Sequence, residues 1–263
     1  MSALVASFCY HDITDNVGQS GFQRNGAVPY KLGIQRFRDH LDRIAEAHLT
    51  PALVTGFDLA GPGRHLLLTF DDGGKSALAA GDELSRRGWK GHFFITTGFI
   101  GHRTFLDASE IRQLRSAGHL VGSHSHTHPN IYRDLDPDRM LVEWRQSSDI
   151  LAQILGEPCL AGAVPGGDIS RTVLRSAGQS GLRYLFTSEP CLTPHVMAGC
   201  WILGRYCAKA STSPDEIAEL AQFHGWAPKL LVRRLKGLAR LSVPSLYRLY
   251  VRYATREWQG QLQ

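Results

Sequence analysis

The segment GSHSHTHPN, Gly122 to Asn130, places three imidazoles within five residues. His124 and His128 stand four apart, so on a helical turn they share a face and can chelate one ion. A second cluster lies in LLLTFDDGG, where Asp71 and Asp72 follow an apolar run. Adjacent carboxylates repel, and burying either one is costly unless a cation or a donor compensates it. Successive residues of a strand face opposite ways, so at a strand end one Asp can bind a metal while the other faces a substrate pocket. Two imidazoles and one carboxylate leave coordination positions open, the pattern of a catalytic rather than a structural ion. Each cluster alone has a plainer reading: a solvated turn for the aspartates, a chance pair for the histidines.

The elements that must position these groups alternate. VASFCYHDI, HLLLTF, HFFITTGFI, HLVGSH, CLAGAVPGG and LRYLFTSE read as buried strands, rich in β-branched and aromatic residues and stopped by turn residues. Between them IQRFRDHLDRIAEAH, SALAAGDELSRRG, DASEIRQLRSAG, residues 137–155 and SRTVLRSAGQSG carry helical spacing, caps and Gly stops. Alternating strands and helices predict an α/β fold with a parallel sheet, whose active site lies at the carboxyl ends of the strands. The DDGG, HSHTHP and PGG loops all follow strand ends and would meet on one face.

With both clusters in this order, the sequence resembles the NodB-homology polysaccharide deacetylases, carbohydrate esterase family four. LLLTFDDGGKSAL, GHFFITTGFIG, FLDASEIRQLRSAGHLVGSHSHTHPNI and AVPGG carry the resemblance, which runs from about Val5 to Arg205. It implies a distorted (β/α) barrel of the polysaccharide deacetylase type. It implies that Asp71 is the general base, that Asp72, His124 and His128 are ligands of a divalent metal, zinc, and that Ser125 supports the ligand loop. His126 is left as a structural or solvent-facing residue. Gly166 is expected to supply the backbone N–H of an oxyanion hole, in a Pro-Gly-Gly form found in a subset of the family.

The sequence departs from the family pattern in two places. Ala163 and Val164 stand where an Arg usually orients the base, and Arg205, after the apparent strand CWIL, is the candidate replacement. The late motif that carries the family's general-acid His is not recognisable. His195 and His224 are the visible substitutes for that acid, each with an ordinary surface residue as its plainer reading, and Glu189 at a strand end is a further one; His195 is carried forward as the candidate acid. His11 and Asp12, after the first strand, are candidates to line the site or to serve a structural role.

The expected activity is hydrolytic removal of an N-acetyl group from an amino sugar in a polysaccharide or lipid-linked glycan. The alternatives are another acyl group, formyl or O-acetyl, or a non-catalytic glycan-binding member of the fold.

The 263 residues divide unevenly in charge. Residues 225–263 hold eight Lys and Arg against one Glu, a net +7, so residues 1–224 carry −2 of the overall +5. The expected organisation is a catalytic domain over 1–224 and a basic amphipathic helical extension over 225–263. Leucines and tyrosines alternate there with Arg and Lys, so residues 229–256 read either as a contact with an anionic membrane or as helices packed on the domain. No nucleic-acid motif accompanies the charge. Five scattered cysteines give no metal ribbon or disulfide framework. The N-terminus reads as a strand rather than a signal peptide, and no apolar run reaches the ~18 residues of a membrane span. The expected location is cytoplasmic, peripheral at the inner membrane face.

Overall fold

The computed structural model describes residues 3–258. Residues 259–263 of the expected extension lie outside the described residues.

A nine-stranded sheet forms the frame, in the order β11-β1-β4-β5-β6-β7-β8-β10-β9. The strands are β1 (Leu4–Tyr10), β4 (Arg64–Phe70), β5 (His92–Ile95), β6 (Leu120–Ser123), β7 (Ala161–Ala163), β8 (Tyr184–Phe186), β9 (His195–Met197), β10 (Cys200–Leu203) and β11 (Tyr206–Cys207). Two short strands, β2 (Asp12–Ile13) and β3 (Lys31–Leu32), pair separately. Every pairing in the large sheet is parallel except β10 with β9. The sheet curls into a half-barrel without closing, so the deacetylase-type α/β architecture expected from the sequence is the one observed.

Parallel strands covered on both faces must be apolar on both faces. Leu66, Leu68 and Phe70 of β4 join Ala6, Phe8 and Tyr10 of β1 in the cluster under helices α1 (Ile34–Ala45), α2 (Ala77–Arg86) and α6 (Pro214–Ala221). Leu67 and Val5 turn the other way, into an inner cluster with Phe94, Ala163, Phe186 and Leu203. That two-residue alternation matters for the site, because Thr69 and Asp71 continue the inner row begun by Leu67. A third cluster, with Trp144, Leu185 and Ile202, sits beneath α4 (Pro137–Leu155) and α5 (Arg171–Gln179).

Helix ends follow local chemistry. Asp107 and Glu110 form a capping box on α3 (Ala108–Ser116). Asp136 caps α4, Pro137 occupies its first turn, and Gly156 ends it at φ 72°. The chain closes with α7 (Trp226–Ser242) and α8 (Pro244–Ala254). Trp226 anchors α7 in the core, edge-on to Phe8 at 6.1 Å.

Candidate functional site

β1 and β4 pair in register from Leu4 opposite Arg64 to Tyr10 opposite Phe70. The next residues, His11 and Asp71, therefore emerge side by side. Asp72 at +74°, Ser125 at +62° and His128 at +53° are three of the six non-glycine residues with positive φ among the described residues. Left-handed backbone costs such residues free energy, and its concentration at one site marks a constellation that the surroundings enforce. At Asp72 it breaks the strand alternation and swings the carboxylate toward the histidine loop.

Asp72 Oδ1 lies 3.4 Å from His124 Nε2 and 3.6 Å from His128 Nε2. The three donor atoms fall within 4.8 Å of one another. His124 Nδ1 sits 3.0 Å from the Ala163 carbonyl, which can only accept, so Nδ1 carries the hydrogen and Nε2 is directed at Asp72. A bare lone pair facing a carboxylate at that distance calls for a positive charge between them. The electrostatics of the surrounding groups point the same way. Burial alone would push His124 down, but Asp71 and Asp72 outweigh it and hold the imidazole above its usual value. Burial raises Asp72, and His124, His11 and His128 more than offset this, so it stays ionised far below the usual carboxylate range. His128 is pushed down to about 4, mainly by burial, and its buried Nδ1 finds no partner. One carboxylate and two imidazoles, buried and mutually directed, fit a divalent cation.

The histidine loop is held from α4. Glu143 Oε2 accepts the His126 and Thr127 N–H groups at 2.9 and 2.8 Å, and Oε1 accepts the Thr127 hydroxyl at 2.7 Å. Ser125 Oγ accepts the His128 N–H at 3.1 Å. His126 turns away to Thr97 and Gln146, at 3.0 and 3.1 Å.

Asp71 is buried beside this cluster, 4.0 Å from His124 Nε2. Arg205, fully buried, grips both its oxygens and donates to Thr69 Oγ1 at 3.0 Å. Burial raises the Asp71 carboxyl, but Arg205 and His124 together bring it below its ordinary value. Arg205 thus reaches Asp71 from just beyond β10, and Ala163 and Val164, at the end of β7, stand in the inner and outer clusters.

Beside these groups lies a cavity of about 900 Å³, lined by His11, Asp71, His128, Gly166 and Arg205 among others. A smaller groove of about 460 Å³, at Asn25, Tyr253, Arg256 and Glu257, contains none of them. Gly166, at φ +61° with open space where a Cβ would project, presents bare backbone to the cavity.

The expected acid is not in place. His195 is exposed on β9, the antiparallel outer strand, and does not line the cavity. An edge strand outside the parallel run sends the side chain to solvent. His224 does not line the cavity either, and Glu189 is taken by Arg233 at 2.8 Å. His11 is the imidazole that lies there instead, with a ligand atom within 4.8 Å of Asp71 and Cys9. Asp12 serves the frame, bound to Ser20, Ser76 and Lys31.

The C-terminal helices form one wall of the cavity. Lys229, Arg233, Lys236, Arg240, Tyr247 and Tyr250 all line it. Arg233 also donates to the Gly167 carbonyl. Asp168 accepts from Tyr247 at 2.6 Å and from Arg240 at 3.1 Å. Sequence reasoning missed this clamp, since partners more than 70 residues apart leave no local signal. It also missed Glu143, where a signal exists: Met140, Glu143, Trp144, Ser147 and Leu151 form the buried stripe of α4. A Glu inside such a stripe requires a partner.

Residues 58–185 match the family model for polysaccharide deacetylase. No curated protein matches the sequence. Among solved structures, the chain is similar to a polysaccharide deacetylase from Bacillus cereus, at 20% identity and a TM-score of 0.69 over 83% of this chain and 69% of that one. It is similar to IcaB from Ammonifex degensii, at 19% identity and a TM-score of 0.67 over 84% of this chain and 100% of that one. It is also similar to the deacetylase PplD of Streptococcus pyogenes, solved in complex with acetate, at 17% identity and a TM-score of 0.66 over 84% of this chain and 99% of that one. At these identities the structural likeness speaks for the fold, and the matched segment, residues 58–185, carries the polysaccharide deacetylase signature.

Proposed function

We propose that the protein is a metal-dependent hydrolase that removes the N-acetyl group from an amino sugar in a glycan. The observation that carries this reading is that the Asp71–Arg205 pair lies beside the Asp72–His124–His128 cluster, with Asp71, Arg205 and His128 lining one cavity. A divalent cation held by Asp72, His124 and His128, zinc by the donor set, supplies Lewis-acid polarisation of the acyl group and of water. Asp71, held by both its oxygens, takes the proton of the attacking water. Arg205 keeps that carboxylate ionised and fixes its direction. The N–H of Gly166 stabilises the oxyanion, as an oriented backbone donor in a largely dry site does. His11, at the mouth of β1, passes a proton to the leaving amine. A pure binding protein would have no use for a buried base held in this way. The similar PplD protein binds acetate, the product that this chemistry would release.

Residues 1–224 supply the catalytic groups in this reading, and 225–263 the extension. Among the described residues, nine of the twelve exposed large apolar side chains lie between Leu231 and Tyr253, and all of them but Val232 and Tyr250 lie outside the cavity lining, so we assign that outer face of α7 and α8 to an anionic membrane surface. No described helix is long and apolar enough to cross a membrane. The substrate is then a lipid-linked glycan met at the inner membrane face.

Elemental analysis of the wild type and of H124A, with acetate release from N-acetylglucosamine oligomers, tests the core of the proposal. Near-stoichiometric metal that H124A loses, together with acetate release that D71N loses, is the expected result. A protein that takes up no metal even with added zinc sinks the ligand assignment. Formate or O-linked acetate released in place of N-acetyl would move the acyl group and keep the machinery.

A further inference from the structure

Charge is concentrated in the cavity. Its lining carries seven Lys and Arg side chains against three carboxylates, Asp71, Asp168 and Glu216, a surplus of four positive charges. The whole chain carries +5. A concave wall with low-dielectric flanks focuses such a field on whatever enters. Part of the charge is compensated: Lys229 pairs with Glu216, Arg233 with Glu189 and Arg240 with Asp168. Among the described residues, Arg24, Lys209 and Lys236 line the cavity without a carboxylate in salt-bridge reach. Lys209 Nζ stands 5.6 Å from the Tyr30 ring centre, and Arg24 lies over Phe22 at 4.5 Å, so aromatic rings hold two of these cations at the wall. Phe22 in turn packs on His128 at 4.8 Å, which ties the cationic wall to the metal-ligand cluster.

A neutral glycan has no use for this surplus. We infer that the substrate carries a phosphoryl group, and that Lys209 and Lys236, backed by Arg24, bind it while the acyl group sits at Asp71. Lysines offer mobile point charges and arginines planar forks, a mixture suited to a tetrahedral dianion or a phosphodiester rather than to a lone hydroxyl. At about 900 Å³ the cavity lies toward the upper end of small-molecule pockets, about 300–1,000 Å³, which leaves space for a sugar and its phosphate together. The inference rests on the deacylase reading for what happens at Asp71, but not for anion binding itself.

The test is calorimetric titration of the purified full chain with glucose 1-phosphate, glucose and glucuronate. Glucose 1-phosphate is expected to bind, with affinity about tenfold or more weaker in K209E/K236E and retained in K209R/K236R. Equal melting temperatures in the three proteins exclude misfolding as the cause. No binding, binding indifferent to K209E/K236E, or glucuronate bound as tightly as the phosphate would overturn the inference. Acyl release from N-acetylglucosamine 1-phosphate in solution and from its polyprenyl ester in anionic vesicles then separates the sources. A preference for the vesicle form assigns the phosphate to a lipid carrier, and equal rates assign it to a soluble sugar phosphate. Oligomer hydrolysis without glucose 1-phosphate binding removes the subsite and leaves the deacylase. Binding with the expected charge dependence, but no acyl release from any substrate, removes the deacylase and leaves the subsite.

Discussion

Arg205 Nη1 meets Asp71 Oδ1 at 2.7 Å and Arg205 Nη2 meets Oδ2 at 2.8 Å, with the guanidinium wholly buried. The pair joins the end of β4 to the end of β10 across the inner face of the sheet. Its charges have little water to fall back on, so each depends on the other. R205A strands a buried carboxylate and is expected to cost about 3–5 kcal/mol of stability. R205K keeps the charge but loses the fork, so it should fold better than R205A and still lose turnover. Denaturation midpoints and kcat on the two variants check this, and an R205K enzyme as active as wild type would remove the orienting role.

His11 and His195 make opposite predictions. H11Q removes the imidazole beside Asp71 and is expected to lower kcat by about 10²- to 10⁴-fold, the range for a lost general acid. H195Q changes an exposed edge-strand residue and should leave kcat within about twofold of wild type. Parallel rate measurements decide between them. A strong loss in H195Q with none in H11Q would restore the assignment made from sequence.

Metal removal should be visible without an activity assay. A ligand that binds only the folded state stabilises it, so chelation is expected to lower the melting temperature of the wild type. H128A, with one ligand missing, should melt lower and respond little to chelator. Identical chelator shifts in both proteins would exclude His128 from the ligand set.

His92 provides a pH signature remote from catalysis. It is fully buried, donates from Nδ1 to the Leu68 carbonyl at 2.9 Å, and accepts the Val54 N–H on Nε2 at 2.9 Å. Burial, outweighing the Leu68 hydrogen bond, holds it down to about 4 against an ordinary 6.5. Because the folded value lies below the unfolded one, the unfolded chain takes up the proton first. The contribution is whole above pH 6.5 and is lost as pH falls toward 4. Between those limits wild type should lose about 1.4 kcal/mol per pH unit more than a folded H92Q variant. Urea midpoints at several pH values measure the difference, and parallel slopes would contradict it.

The helical extension should do two separable things. L235E/L246E alters exposed side chains and is expected to abolish binding to anionic vesicles in sedimentation while soluble-substrate turnover persists. Removing α7 and α8 altogether also removes Arg233, Arg240 and Tyr247 from the Gly167–Asp168 loop, so truncation should lower turnover as well. Truncation that affects vesicle binding alone would make the clamp incidental.

Much of this molecule is legible in local sequence. The limits of α4 follow from Asp136, Pro137 and Gly156, and the parallel strands follow from apolar runs that end in turn residues. The candidate metal cluster is legible for the same reason, since His124 and His128 share one short loop and Asp72 ends a strand. What the sequence could only nominate, Arg205 and His11 among the candidates, depends on contacts between distant segments. Arg205 reaches Asp71 because the curl of the sheet brings β10 around to face β4, 134 residues away in the chain. His11 stands at the site through the register of β1 with β4, and His195 leaves it because β9 turns back as an outer antiparallel strand. The basic tail shows its charge and amphipathic spacing in the sequence, but not its direction. Only the tertiary structure turns Lys229, Arg233, Lys236 and Arg240 toward the cavity and leaves Leu231, Leu235, Leu238, Leu246 and Leu249 exposed, because Trp226 and the Asp168 clamp fix how the helices lie on the domain. Spacing along a chain encodes neighbours within a turn or a strand; which ends of which strands meet is decided by the packing of the whole sheet.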